Sequence, residues 1–450
     1  MKNRFVKNIL CTALAAVLLT GCGASGNTDT AAQNSRSAAS SAETAAGSES
    51  VNTAGEKAAA ASSQEFEEVV ISGSTGEVLS SNDSGNSSDG PHTSASIEAA
   101  PEIKGLTCES VMDLHYANQF NVFYYTDGYK LLDIVESGKY LLVPEGKEKP
   151  EGLDKNITVI QQPLTQVYNA ATASMSLINA IGALDKVTMT SVDTSGWYIE
   201  APKAALEDGK MAYAGKYSAP DYEQMVGKNC DLAIESTMIL HSPEVQEMLE
   251  DLGMPVLIDR CSYEQEALGR CEWVKVYGAI FDKEKEAEAF FTEQEKLISQ
   301  IQDYQATGKT VAFFSVNSNK SIVVRKTADF IPNMIALAGG EYIFENLENT
   351  ESKSASVNVS MEEFYSVAKD ADYLIYNGTI EAPLNTIEDL IGKDVLFEEF
   401  KAVKEGNVYQ VDGTWYQSTD KVANLILDFH EMMDSGDDGK MTFLSKVPAK

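Results

Sequence analysis

The spacing of apolar positions changes several times along this chain of 450 residues. Across residues 120–143, apolar and polar residues alternate and are interrupted by Asp127-Gly128 and Ser137-Gly138, a pattern that predicts a β-meander. Short apolar strands and helical patterns follow in turn, beginning with a strand at 157–160 and a helix at 170–184. This alternation predicts an α/β lobe with a mainly parallel sheet.

A long amphipathic helix is predicted over residues 282–308. Asp282 is its expected N-cap, apolar residues recur at helical spacing among Glu, Lys and Gln, and Gly308 ends it. At 1.5 Å per residue, such a helix would be roughly 38 Å long. Beyond it, strand and helix patterns alternate again up to a closing helix at 419–433.

Together these patterns predict an α/β fold with two Rossmann-like lobes joined by one long helix, preceded by a disordered tether and a small β-meander. The expected divisions are a signal peptide at 1–21, a tether at 22–100, the β-meander at 101–150, the N-terminal lobe at 151–281, the connecting helix at 282–308 and the C-terminal lobe at 309–450. The cleft between two such lobes is the expected small-molecule site.

The first residues are typical of an export signal. Lys2, Arg4 and Lys7 precede an apolar run at 9–19, which is shorter than a membrane span. The run ends in Leu19-Thr20-Gly21-Cys22, which resembles the bacterial lipobox, so we expect Cys22 to be lipidated. Two acyl chains would anchor the protein to the extracellular face of the membrane, as in a Gram-positive cell. A secreted protein with a chance cysteine is the alternative.

The segment at 22–100 consists mainly of Ala, Ser, Gly, Thr, Asn, Asp and Glu. It has too few large apolar residues to offset the entropy of folding, so a flexible tether is expected. As a random coil it would reach roughly 50 Å, enough to hold a domain clear of the lipid surface.

The net charge limits the classes of partner that the chain can bind. The 35 Lys and Arg against 68 Asp and Glu give a net charge of -33, which repels nucleic acid and anionic headgroups. We expect a monomer that binds no nucleic acid.

Besides Cys11 and Cys22, the chain has four cysteines, Cys108, Cys230, Cys261 and Cys271. A disulfide between Cys261 and Cys271 would close one loop, and free buried thiols are the alternative.

Catalytic motifs are missing from the sequence. It contains no Gly-x-Ser-x-Gly, no P-loop and no His-Glu-x-x-His, and its Gly-x-Gly-x-x-Gly at residues 21–26 lies at the lipobox and not between a predicted strand and a predicted helix. We therefore do not expect an enzyme. A lipoprotein hydrolase and a surface adhesin remain the alternatives of another functional class.

Several segments resemble the helical-backbone solute-binding proteins of ABC importers for iron-siderophores, haem and cobalamin. The resemblance covers roughly residues 127–449 and depends on the order and spacing of short pieces behind the lipobox. These pieces are Asp221-Tyr222-Glu223, Cys230-Asp231-Leu232-Ala233-Ile234, Leu252-Gly253-Met254-Pro255-Val256, Gly278 with the long helix, Ala338-Gly339-Gly340-Glu341 and Val403-Lys404-Glu405-Gly406-Asn407-Val408-Tyr409.

The resemblance implies a binding protein that works with an ABC permease and its cytoplasmic ATPase and needs no cofactor of its own. In this family one glutamate on each lobe docks on basic residues of the permease, and the matching positions are Glu223 and Glu341. Solvated helix-end carboxylates are the alternative interpretation.

The ligand-binding residues are predicted from residue type, since the family varies them with substrate. Large planar chelates are held by aromatic faces and by a few Arg, Lys or Tyr groups. The candidates are Trp197, Tyr198, Tyr213, Lys216, Tyr217, Tyr263, Arg270, Trp273, Arg325, Trp415 and Tyr416. Each aromatic has a core position as its alternative, and the alternative for Arg270 is a buried ion pair with Glu272 or another acid.

The scarcity of histidine favours a chelate over a bare metal ion. Importers of zinc or manganese ligate the metal with clustered His and carboxylate. Here His92 falls in the tether, and His115, His241 and His430 are far apart. The expected ligand is a ferric siderophore or haem, with a cobalamin-type corrinoid as the alternative.

Overall fold

This computed structural model describes residues 95–301, 306–327, 329–344, 347, 356–379, 382–436 and 438–450. The predicted signal peptide, Cys22 and nearly all of the predicted tether lie outside these residues. Within them, no helix combines the length and the apolar character that crossing a membrane requires.

The first sheet contains five strands in chain order. They are β1 (Cys108–Val111), β2 (Phe120–Tyr125), β3 (Lys130–Ile134), β4 (Gly138–Val143) and β5 (Ile157–Gln161). β1 to β4 pair antiparallel, which confirms the meander at 120–143, but β5 pairs in parallel with β4. The strand expected to open the N-terminal lobe therefore belongs to the first sheet.

The N-terminal lobe is built on a parallel sheet with the strand order β12-β11-β6-β7-β8. Its elements are β6 (Val167–Asn169), α1 (Thr172–Ala180), β7 (Val187–Thr190), α2 (Glu200–Glu207), β8 (Ala212–Tyr213), the hairpin β9 (Gly215–Lys216) and β10 (Ala219–Pro220), α3 (Tyr222–Gly227), β11 (Leu232–Ser236), α4 (Pro243–Asp251) and β12 (Val256–Asp259). Leu232 and Ile234 pack in one core and Ala233 in another, as strand alternation requires. The predicted α/β lobe is confirmed.

Glu235 on β11 is a fully buried carboxylate. Neither of its oxygens has a hydrogen-bond partner among the described residues. Burial raises the pKa of Glu235 well above the usual carboxyl range, so the protonated form is favoured in the folded protein.

Three helices connect the lobes. They are α5 (Ala267–Glu272), α6 (Val274–Ile280) and α7 (Glu284–Ser299). The helix predicted at 282–308 is thus shorter, with 16 residues, and Asp282 is not its cap. Asp282 has a left-handed φ of 55° and forms the turn between α6 and α7. A β-carbon on Gly278 would lie 2.7 Å from that of Ala287, so glycine allows the two helices to pack closely.

The C-terminal lobe has a mixed sheet with the order β16-β14-β13-β17-β18-β19, and β15 also pairs with β13. Its elements are β13 (Thr310–Val316), β14 (Ile322–Arg325), α8 (Phe330–Leu337), β15 (Glu341–Tyr342), β16 (Ser356–Val359), α9 (Met361–Ala368), β17 (Tyr373–Asn377), α10 (Ile387–Lys393), α11 (Lys401–Glu405), β18 (Val408–Val411), α12 (Gly413–Tyr416), α13 (Val422–Asp434) and β19 (Leu444–Lys446). α13 packs against α7 and α8, which attaches this lobe to the connection.

The four cysteines of the described part are free thiols. Cys108 is half-buried, and Cys230, Cys261 and Cys271 are buried. The disulfide considered for Cys261 and Cys271 is therefore absent, and the alternative of free thiols is confirmed. Burial raises the pKa of the Cys261 and Cys271 thiols well above their usual value.

A buried carboxylate attaches the β1–β2 connection of the first sheet to the connecting helices. Glu272 is 0% exposed and accepts hydrogen bonds from the backbone N–H groups of His115, Tyr116 and Ala117 at 2.8 to 2.9 Å. The Lys275 ammonium, which is also buried, lies 3.0 Å from the same carboxylate. The charge of Glu272 is thus both paired and hydrogen-bonded, which offsets its desolvation.

A second carboxylate, Glu264, continues this pattern along the same segment. It accepts hydrogen bonds from the N–H groups of Asn118 at 2.9 Å and Gln119 at 3.0 Å. The indole N–H of Trp273 donates to it at 2.9 Å. Glu264 and Glu272 together satisfy five consecutive backbone donors, and we call this arrangement the carboxylate clamp.

The first sheet also contacts the end of α6. The Lys130 ammonium donates to the carbonyl oxygen of Ala279 at 3.1 Å and to Asp282 at 2.7 Å. The Gln162 amide donates to the carbonyl oxygens of Ala279 and Ile280 at 3.1 and 2.9 Å. These side chains satisfy carbonyls that a helix end leaves without intrahelical partners.

We predict that Glu272→Ala lowers the free energy of unfolding by about 3–5 kcal/mol, because it leaves three backbone N–H groups without their acceptor and removes the buried carboxylate that pairs with Lys275. Urea unfolding monitored by circular dichroism measures the loss. The matched control is Glu288→Ala, since Glu288 pairs with the same lysine at 3.2 Å but is 60% exposed, and its removal should cost less than about 1 kcal/mol. Equal losses in the two variants would contradict the prediction.

Candidate ligand-binding cleft

A cavity lies between the two lobes at the carboxyl ends of β6, β11 and β12. It contains about 980 Å³ of space, part of which is open to solvent. The N-terminal lobe supplies residues that directly follow or end these strands, including Thr172, Ser236 and Asp259. The opposite wall comes from the C-terminal lobe. Parallel strands end at the same sheet edge, and ligand sites of α/β proteins form there.

Two arginines face this cavity. Arg270 is carried by α5, and its guanidinium stacks on the Phe330 ring at 4.0 Å. Arg325 ends β14, and its Nη1 lies 3.8 Å from a carboxylate oxygen of Asp329. The alternative pairing of Arg270 with Glu272 does not occur, since Glu272 pairs with Lys275. Arginine suits planar acceptor groups such as carboxylates, because its donors have a fixed fork geometry.

Two buried aspartates share the cavity with these arginines. Asp259 accepts hydrogen bonds from the Cys261 N–H at 2.8 Å and from the Tyr277 hydroxyl. Asp329 accepts a hydrogen bond from the Ile331 N–H at 2.9 Å at the start of α8. Burial raises the pKa of both carboxyls, and this rise is opposed by their hydrogen bonds and by the nearby arginines. Both aspartates therefore have internal structural partners.

Tyrosines from both lobes complete the wall. Tyr263 lines the cavity, and the Arg260 guanidinium lies 4.1 Å from its ring centroid. Arg260 in turn pairs with Glu136 of the β3–β4 turn at 3.0 Å. On the other lobe, Tyr416 lines the cavity and contacts the edge of the Tyr198 ring at a centroid distance of 6.2 Å. Tyrosine presents both an apolar face and a polar tip, which suits a large ligand with mixed polarity.

Residues 169–414 match the family model described as "Periplasmic binding protein", which covers more than half of the chain. The chain belongs to the periplasmic binding protein family. An uncharacterised lipoprotein of Methanocaldococcus jannaschii is 27% identical to this binding protein over 347 residues, which cover 70% of this chain and 80% of that protein.

Two further proteins match a smaller share of this chain. YhfQ of Bacillus subtilis, named as a candidate ABC transporter substrate-binding lipoprotein, is 26% identical over 221 residues, covering 48% of this chain and 67% of YhfQ. Among solved structures, the haem-binding protein HutB of Vibrio cholerae is 16% identical with a TM-score of 0.49, covering 60% of this chain and 100% of HutB.

The binding protein brings four of the eleven predicted ligand residues to the cavity wall, namely Tyr263, Arg270, Arg325 and Tyr416. Tyr198 lies beside them through its contact with Tyr416. Contact with a ligand stays a prediction for all five.

Three predicted tryptophans do not line this cavity. The indole of Trp197 donates to the Val192 carbonyl at 3.2 Å, and that of Trp273 donates to Glu264. Trp415 packs behind the cavity against Phe330, with 5.7 Å between ring centroids. All three are buried. The assignment of Trp197 and Trp273 to the cleft is corrected to a core role, whereas Trp415 lines a smaller cavity that shares Arg270, Phe330 and Tyr416 with the main one.

The predicted group on the hairpin is also absent from the cavity wall. Tyr213 lies on β8, the edge strand of its sheet, and Lys216 and Tyr217 follow it. Because β7 and β6 separate β8 from β11, these residues fall at the far side of the lobe. The prediction placed them by residue type, which carries no information about strand order.

Sequence reasoning missed the small polar residues of the wall. Ser236 and Asp259 are the last residues of β11 and β12, and Ser356 is the first residue of β16. The first two could have been found, because the predicted strands at 231–234 and 255–258 point to their carboxyl ends as the site.

The two proposed docking glutamates are exposed but occupy different elements. Glu223 lies in the first turn of α3, whereas Glu341 lies in the short strand β15. Their role in docking stays a prediction. Glu345 and Glu348, which are close to Glu341 in the sequence, lie outside the described residues.

The histidines of the described residues lie in different parts of the structure. His115 bonds Glu295 at 2.7 Å, which raises the pKa of His115, and His430 is buried with its Nδ1 3.1 Å from the Ala338 carbonyl oxygen. His241 ends an exposed turn ahead of α4. Within the described ranges, no group of three or more His, Cys, Asp or Glu side chains is arranged to hold a metal ion.

Proposed function

We propose that this periplasmic binding protein is the substrate-binding component of an ABC importer. It captures a small molecule in the cleft between its lobes and delivers it to a membrane permease driven by a cytoplasmic ATPase. The observation that carries the proposal is the interlobe cavity, to which each lobe and the connecting helices contribute side chains. The naming of YhfQ as a candidate ABC transporter substrate-binding lipoprotein supports the same role.

The proposed ligand is a metal chelate, either a ferric siderophore or haem, with a corrinoid as the second candidate. Arg270 and Arg325 offer guanidinium donors to the anionic oxygens of such a ligand. Tyr263 and Tyr416 offer aromatic faces to its planar parts. The metal arrives inside the chelate, so the protein supplies donors to the chelator and needs no metal ligands or cofactor of its own.

A binding role also fits the chemistry of the nucleophiles in the cavity better than hydrolysis does. Cys261 lines the cavity, but burial raises the pKa of its thiol well above the usual value. A protonated thiol is a poor nucleophile. The hydroxyls of Ser236 and Ser262 line the same cavity without a histidine among the lining residues. We therefore propose ligand capture as the function in preference to hydrolase or adhesin activity.

We predict that the purified protein binds a ferric siderophore, haem or cobalamin, with quenching of tryptophan fluorescence. Arg270→Gln and Arg325→Gln should each weaken the affinity about 10- to 100-fold, because each removes a hydrogen bond to a charged group. The control is Lys210→Gln, since Lys210 is 75% exposed and lies outside the cavity. Tight binding of zinc or manganese alone, or wild-type affinity in both arginine variants, would contradict the ligand class.

We propose further that Glu223 and Glu341 dock on basic residues of the permease. Glu223→Arg combined with Glu341→Arg should reduce uptake of chelated radioactive iron by host cells at least about tenfold, because repulsion replaces attraction at the interface. Ligand affinity and melting temperature should not change. The matched control is Glu398→Arg, an exposed glutamate of the C-terminal lobe. Normal uptake by the double variant would end the docking proposal.

The proposed location is the extracellular face of the membrane, where the chain is held as a monomer by a lipid on Cys22. Its relatives in Methanocaldococcus jannaschii and Bacillus subtilis carry the name lipoprotein, which supports this placement. We predict that Cys22→Ala shifts the protein from the membrane fraction to the medium, because the acyl chains lose their attachment site. Mass spectrometry of the mature N-terminus checks the lipid, and membrane retention of the variant would refute the anchor.

A further inference from the structure

One buried side chain of the C-terminal lobe hydrogen-bonds to the backbone of the N-terminal lobe. Gln417 follows α12 and is 1% exposed. Its carbonyl oxygen accepts a hydrogen bond from the Tyr198 N–H at 2.8 Å, and its amide nitrogen donates to the Gly196 carbonyl at 2.9 Å. A single amide thus pairs with both a donor and an acceptor of the loop after β7.

The packing around this amide is close on both sides. A β-carbon on Gly413 would lie 2.7 Å from the Tyr198 ring, so glycine lets this ring lie directly against the backbone. Nearby, the Asp420 N–H donates to the Ser176 hydroxyl of α1 at 3.3 Å. We call residues 196–198 and 413–417 the lobe bridge.

The lobe bridge is continuous with the wall of the cavity. Tyr416 lines the cavity, precedes Gln417 directly and contacts the Tyr198 ring. Any change in the separation of residues 198 and 417 therefore moves Tyr416. The two hydrogen bonds of the buried Gln417 amide resist such a change, because breaking them leaves that amide without its partners.

We propose that Gln417 is a positioning residue of the ligand cavity. Its two hydrogen bonds fix the separation of the lobes along the bridge and hold Tyr416 in the cavity wall, so that the cleft opens on the side away from the bridge. The bridge itself rests on the observed contacts, whereas its effect on a ligand rests on the proposed function.

The chain offers a matched control. Gln410 on β18 makes the same pair of hydrogen bonds, accepting from the Leu384 N–H at 2.7 Å and donating to the Leu384 carbonyl at 2.9 Å. Both partners of Gln410 lie within the C-terminal lobe. Gln410→Ala therefore removes equivalent bonds without touching the contact between lobes.

Hydrogen exchange of the ligand-free protein tests the bridge first. In Gln417→Ala, the Tyr198 amide should exchange about three- to tenfold faster than in the wild type, whereas Gln410→Ala should leave it unchanged. Unchanged exchange at Tyr198 in Gln417→Ala would overturn the proposal. A uniform acceleration across the C-terminal lobe with a lower melting temperature would also overturn it, because that result indicates a general stability role.

A second variant gives a signature that loss of stability alone does not produce. In Gln417→Glu, a protonated carboxyl both donates and accepts as the amide does, whereas an ionised carboxylate lacks the donor for Gly196. Both forms still accept from the Tyr198 N–H, so ionisation acts on the bond to Gly196. The melting temperature of Gln417→Glu, relative to the wild type at the same pH, should lie near the wild-type value at about pH 4 and below it at about pH 8. A difference in melting temperature that does not change with pH contradicts the assigned hydrogen bonds.

The effect on binding is measured with haem and a ferric hydroxamate siderophore as probes. Gln417→Ala should release a bound probe about three- to tenfold faster, with Gln410→Ala as the unchanged control. Equal release rates in Gln417→Ala and the wild type would overturn the positioning role. A wild-type protein that binds neither probe would count against the proposed ligand class, while the exchange result would still decide the bridge.

Discussion

The arrangement of the cleft depends on the carboxylate clamp, in which Glu264 and Glu272 accept five consecutive backbone N–H groups. The clamp fixes the connecting helices to the β1–β2 connection of the first sheet. Arg270 lies two residues before Glu272 on α5, and side chains two apart on a helix point to different sides. The short helix α5 thus contributes Glu272 to the clamp on one side and presents Arg270 to the cavity on the other.

The cavity follows from this frame. Asp259 at the end of β12 accepts hydrogen bonds from its own lobe and from Tyr277 of α6, and Asp329 accepts one at the start of α8. The arginines enter from other elements, Arg270 from α5 and Arg325 from β14. The charged side chains of the cavity come from both lobes and from the connecting helices. They lie together only when these three parts of the fold are assembled. The clamp and the lobe bridge each constrain this arrangement from a different direction.

The periodic parts of the fold were predictable, because alternation along β2 to β4 and the strand and helix order of both lobes are local properties of the sequence. Arg270, Arg325, Tyr263 and Tyr416 were placed in the cleft by residue type. The same reasoning assigned Trp197 and Trp273 to the cleft, since an indole that donates within the core looks no different in sequence. Asp282 resembled a helix cap but adopts a left-handed turn, and the role of Gln417 depends on a partner more than 200 residues away.

Native mass spectrometry of the protein purified from its own host tests whether the cleft holds a metal chelate. We expect a noncovalently bound species with the mass and isotope pattern of a metal chelate. That species should be lost when Arg270→Gln and Arg325→Gln are combined. A bare zinc or manganese ion in its place, or a chelate retained at wild-type occupancy in the double variant, would contradict capture of a chelate by the two arginines.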